Sequence, residues 1–87
     1  MEKWDPNKAA ENLAKHGVPF EEAYTVFEDP LQSTRPDDIH STPDEERQIT
    51  IGESSKGRML IVVHVHQRII SARKATRPER IRYEEGE

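Results

Sequence analysis

Apolar positions along the chain fall into short groups, and the period changes from group to group. Met59-Leu-Ile-Val-Val63 is the longest apolar run. A run that short and rich in Val and Ile predicts a strand buried on both faces. Arg68-Ile-Ile-Ser-Ala72 is a second such run only a few residues later. Two strands joined that tightly predict an antiparallel hairpin. Arg47-Gln-Ile-Thr-Ile-Gly52 alternates polar and apolar, as a strand with one buried face does. Leu31–Thr34 is a candidate short strand, and Met1–Trp4 a lead-in ending at Trp4.

Helical periods occupy the first third. Asp5-Pro6 signals a helix start, with Asp5 accepting from free first-turn amides and Pro6 at the first helical position. Gly17 suits the left-handed cap that ends it. Ala9, Leu13 and His16 share one face, flanked by Ala10 and Ala14. Phe20, Ala23, Tyr24 and Phe27 fall at i, i+3, i+4 and i+7, one buried helical face, which leaves Glu21, Glu22 and Glu28 pointing outward. Asp29-Pro30 ends this second helix. Arg35–Glu46 has two prolines and five acids and reads as a loop. Ser54–Gly57 is a turn with Gly57 at the position needing positive φ. Thr76, Pro78 and Glu79 make a capping-box start for a last helix from Arg77 to about Glu85, with Ile81 its main apolar contact and 84–87 a frayed end. The order predicts one α+β domain over 1–87: two N-terminal helices, an antiparallel sheet of about four strands, and a C-terminal helix.

Composition changes this picture in two ways. The chain has no cysteine, so it has neither a disulfide framework nor a thiolate metal site. No apolar stretch approaches the roughly 18 residues of a membrane span, and no signal-peptide pattern opens the chain, so a cytoplasmic protein is expected. Charge is split. Residues 1–46 carry a net −8 and residues 47–87 a net +4. The cationic half coincides with the strands: Arg58, His64, His66, Arg68, Arg73 and Lys74 mark the ends of the apolar ribbon. Such a fringe suits phosphate.

Chemistry follows from these side chains. No Cys or serine elbow signals nucleophilic catalysis. His64 and His66 share a strand face but lack a third ligand nearby, so no metal and no cofactor is expected. RNA cleavage fits better, because RNA supplies its own nucleophile, the 2′-hydroxyl. An enzyme then needs proton transfer and cations for the crowded phosphate. Arg73 is the candidate for holding the scissile phosphate, since its planar fork matches that geometry. His16 is the candidate for proton transfer. Lys15 and Arg58 would steady charge. His64, Arg68, Arg77 and Tyr83 are candidate substrate contacts, with Arg77 guiding the backbone. Each has a plainer reading. His16 ends a helix, His64 and His66 belong to a hairpin, Arg73 pairs with a helix glutamate, Arg77 is solvated, and Tyr83 and Trp4 pack.

Several blocks together carry a resemblance. Trp4-Asp5-Pro6, Lys8, Asn12–Val18, Phe20–Ala23 and Phe27–Pro30 resemble the amino-terminal signature of the BrnT toxin family. Glu46-Arg47, Ile51-Gly52, Ser54, Gly57-Arg58, Val62–His64, Arg68–Thr76, Glu79-Arg80 and Tyr83-Glu84 look like its remainder. The resemblance implies a RelE/ParE-like fold and a toxin of a type II toxin–antitoxin system, a ribonuclease that shuts down translation. It implies a BrnA-like ribbon-helix-helix antitoxin as partner, and contact with operator DNA only through that antitoxin. A second reading is a catalytically inactive relative that binds antitoxin and supports operon repression. The family usually has more residues before the RIISAR strand. Here only Val65, His66 and Gln67 intervene, with no Gly or Asn for a tight turn, so either the strands are trimmed or the turn is strained.

Overall fold

The computed structural model describes residues 3–85; the expectations for Met1-Glu2 and for a frayed 86–87 lie outside them. Helix α1 (Pro6–His16) starts where the sequence says it should. The Asp5 carboxylate accepts from the Asn7 amide at 2.8 Å, and Gly17, at φ 70°, donates to the Leu13 carbonyl. Helix α2 (Phe20–Tyr24) is shorter than its apolar period. The chain tightens over Thr25–Glu28 into a 3-10 turn, which lets the last carbonyls find i+3 partners before Asp29 leaves the helix.

Four strands follow: β1 (Ser33–Pro36), β2 (Gln48–Glu53), β3 (Met59–Val65) and β4 (Arg68–Lys74). They form one antiparallel sheet in sequence order, with β1 and β4 at the edges. The first strand lies two residues later than Leu31–Thr34. Asp29 captures the Leu31 and Gln32 amides in a turn, so pairing cannot begin sooner. Pro36, which has no N–H to donate, is tolerated at an edge. Thr76 and Glu79 close the expected capping box on α3 (Arg77–Glu84). The chain is therefore α+β, with three helices and a four-stranded antiparallel sheet.

The core lies between α1, α2 and one sheet face. Val18, Phe20, Ala23 and Val26 pack on Leu60, Val62, Ile69 and Ala72, with Trp4, Tyr24 and Phe27 around them. Trp4 meets Phe20 edge-to-face at 6.0 Å, and its backbone bridges Ile69 on β4. Gly52 is needed for this approach, because a Cβ there would fall 2.8 Å from Val26 Cγ1. β3 is buried on both faces at its centre, with Ile61 on the side away from α1 and α2.

Three expectations about side chains change. Leu13 is 50% exposed, and its neighbour Asn12 is buried instead. The Asn12 amide donates to the Ala72 carbonyl at 2.8 Å and accepts from the Ala72 N–H at 3.0 Å, clipping α1 to the outer edge of β4. Glu22 does not point outward. It is 4% exposed, and its carboxylate is gripped by Arg58 and by the Ser54 hydroxyl. Ile81 is 44% exposed and α3 has no buried residue, so polar ties hold that helix.

The hairpin between β3 and β4 keeps both strands at full length. Its two-residue tip, His66-Gln67, takes φ of 48° and 68°, the sign pattern of a type I′ turn. The turn is strained and the strands are not trimmed. A register shift at Val63/His64 sets His64 against Ile69.

Candidate functional site

The sheet face away from α1 and α2 is the more open one. Ile49, Ile51 and Ile61 line a groove of about 420 Å³, walled by Ser33 and Arg35 of β1 and by Glu79, Arg82 and Tyr83 of α3. Arg73 stands opposite Ile61 in the β3–β4 register, on this same face. Its two terminal nitrogens each donate to one oxygen of Glu79, both at 2.9 Å. That fork holds the Glu79 carboxyl down to about 2 against the opposing effect of burial, with Thr76 helping.

A second, smaller groove of about 230 Å³ follows the outer edge of β4. It is lined by Lys8, Glu11, Asn12, Lys15 and His16 of α1 and by Ile70 and Ser71. The contacts Trp4–Ile69 and Asn12–Ala72 show α1 running along β4 in the same direction. Lys15 and His16 share the groove with Ile70 and Ser71, at the middle of that strand. Ser71 and Arg73 are alternate residues on β4, about 7 Å apart along it. Lys15 and His16 of α1 thus flank the edge of the strand whose open face carries Arg73.

The remaining candidates are placed elsewhere. Arg58 precedes β3, and its guanidinium closes on Glu22, with Nε to Oε2 at 2.8 Å and the second nitrogen on Oε1. His64 is 3% exposed on the helix-covered face. Its Nδ1 accepts from the Gln67 N–H at 3.3 Å, which leaves Nε2 to donate to the Thr50 hydroxyl at 2.7 Å. Thr50 in turn lies 2.6 Å from Thr34 Oγ1. Burial, then the charge of His66, pushes the His64 imidazole down to about 4. Arg68 opens β4 at the hairpin and Arg77 opens α3; both are exposed. Tyr83 walls the larger groove and donates its hydroxyl to Asp29. Burial and that bond push the phenol up to about 12.

Sequence reasoning missed the link between α3 and the rest of the fold at Asp29. Burial opposes ionisation of this carboxyl, but the Glu53 N–H, the Tyr83 hydroxyl and the Leu31 N–H outweigh it and hold the group below its ordinary value. Lys8 was also missed as a groove residue. Its signal was available, since Lys8 and Lys15 are seven apart and so share one helical face. Among the described residues no three His, Asp or Glu side chains are placed to hold a metal ion. None of the described helices is long and apolar enough to cross a membrane.

A family model described as a ribonuclease toxin, BrnT, of type II toxin–antitoxin systems matches residues 4–79. No curated protein matches the chain.

Proposed function

The chain belongs to the BrnT family of ribonuclease toxins of type II toxin–antitoxin systems, and from that premise we propose that it cuts RNA by metal-independent acid–base chemistry. The observation that carries this reading is the sharing of β4 by Arg73, on its open face, and Lys15 and His16, along its edge. Arg73 takes two non-bridging oxygens of the scissile phosphate in its fork. His16 removes the proton from the ribose 2′-hydroxyl. The 2′-oxygen bonds to phosphorus, the bond to the 5′-oxygen breaks, and the Lys15 ammonium gives that oxygen a proton. The products are a 2′,3′-cyclic phosphate and a 5′-hydroxyl. Lys8, Arg68 and Arg77 guide the backbone, and the isoleucine floor receives a base, while Tyr83, bonded to Asp29, anchors α3 over that floor. In this reading Arg58 and His64 serve the fold, because Arg58 closes on the buried Glu22 and His64 is itself buried.

The wider setting is part of the same proposal. Cleavage of RNA in the cytoplasm stops translation. A BrnA-like antitoxin with a ribbon-helix-helix domain neutralises the toxin and carries the pair to operator DNA. Induced expression in bacteria tests this setting. Growth arrest with loss of protein synthesis is expected, relieved by co-expression of a neighbouring ribbon-helix-helix gene. Normal growth at high expression of folded protein would count against it.

A further inference from the structure

Glu79 lies on Arg73 as a substrate phosphate would. Two oxygens of one carboxylate meet two nitrogens of one guanidinium, both at 2.9 Å, which is the fork geometry that Arg also offers to phosphate. RNA cannot take that fork while Glu79 holds it. The pair is partly exposed, with side chains 41% and 30% accessible, so water can reach it and exchange is open.

The helix that carries Glu79 is lightly held. α3 buries no residue of its own. Apart from its capping box, its side-chain hydrogen bonds to the domain among the described residues are the Arg73–Glu79 fork at one end and the Tyr83–Asp29 bond at the other. Beneath it lie Ile49, Ile51 and Ile61, an apolar floor with Arg35 at its far rim. Lifting α3 would uncover a surface on which an unstacked base can rest beside a phosphate held by Arg73.

We propose that Glu79 is an intramolecular stand-in for the RNA phosphate, and that α3 is a lid which single-stranded RNA opens by displacing it from Arg73. This inference rests on the ribonuclease reading and adds to it a closed resting state of the same site. Free protein holds the clasp shut. An RNA phosphate competes with Glu79 for the fork, and the base of the same nucleotide replaces the underside of α3.

The test is the affinity of a mixed-sequence 2′-O-methyl RNA oligonucleotide, which lacks the free 2′-hydroxyl that cleavage needs, measured by fluorescence anisotropy. Glu79→Gln is the informative variant, since glutamine still completes the capping box and keeps α3 folded. Glu84→Gln makes the same charge change on α3, at a residue that does not grip Arg73. Glu79→Gln is expected to bind at least about fivefold tighter than parent and Glu84→Gln within about twofold of it. The gain is expected to vanish in the Arg73→Ala background. Equal gains from both glutamine variants would overturn the lid, leaving only general charge. A gain that persists without Arg73 would do the same. If Arg73→Ala binds as tightly as parent, the phosphate role of Arg73 falls and the lid falls with it. If Arg73→Ala loses affinity while Glu79→Gln gains none, the lid alone is wrong.

Discussion

Glu22 and Arg58, 36 residues apart in sequence, close a two-pronged ion pair between α2 and the start of β3. The Glu22 side chain is 2% accessible and also takes the Ser54 hydroxyl at 2.6 Å. Arg58 holds the carboxyl below its ordinary value against the opposing effect of burial. The unfolded chain therefore binds a proton here more readily than the folded one. The stability from this pair is fully present above the ordinary carboxylate value and is lost as pH falls through the folded value. Arg58→Met reverses the sign, because a buried carboxylate without its partner binds protons more readily when folded. Melting temperature followed from about pH 2.5 to pH 7 is expected to rise with pH through the acid end in parent and to rise less, or fall, in the variant. Parallel curves would remove Glu22 from the account.

His64 gives a second pH dependence in the same direction. Its folded value of about 4 lies below the ordinary histidine value, so its contribution is intact above about pH 6.5 and lost as pH falls toward 4. That difference is on the order of 3 kcal/mol. The imidazole carbon resonances of His64 are expected to stay flat from about pH 8 to pH 5.5. A midpoint near 6.5 would mean that the ring is solvated and free to meet substrate.

The hairpin tip offers a stabilising change. His66 and Gln67 both hold positive φ, which Asn and Gly adopt with little strain. His66→Asn with Gln67→Gly is expected to add about 1 kcal/mol, or roughly 5 °C in melting temperature. Thermal unfolding checks it, and a loss would show that the native pair makes contacts worth more than the strain.

Asn12 is expected to be among the least replaceable polar residues of α1. Its side chain serves both backbone groups of Ala72 and also the Val18 carbonyl at 3.1 Å. Asn12→Leu leaves those groups buried and unpaired, at a cost of about 2–4 kcal/mol. Urea unfolding measures it. A cost below about 1 kcal/mol would mean that water replaces the amide easily.

Backbone signals were legible in the sequence wherever one residue type decides the outcome. Asp5-Pro6, Gly17, Gly57 and the Thr76–Glu79 box each met their expected conformation. The alternating and continuous apolar runs placed β2, β3 and β4 within a residue or two. Partners were harder. Period alone makes Glu22 a surface residue and Leu13 a core one, because it sees polarity and not the Arg58 or Ala72 that arrives from far along the chain. The candidate site divides in the same way. Lys15 and His16 line a groove with β4 and Arg73 lies on that strand, but Arg73 is paired with Glu79 of α3, as its plainer reading had it. Arg58 and His64 are taken by Glu22, Thr50 and Gln67, and nothing local marks those bonds.

Cleavage of a defined RNA by the purified protein in EDTA, beside Arg73→Ala and His16→Ala, tests the metal-independent ribonuclease activity. The parent is expected to cut, leaving 2′,3′-cyclic phosphate ends, and each variant to lose at least about tenfold in rate, roughly 1.4 kcal/mol of barrier. A folded parent that leaves RNA intact while still binding a cognate antitoxin would contradict it, and would make the chain a binding protein instead.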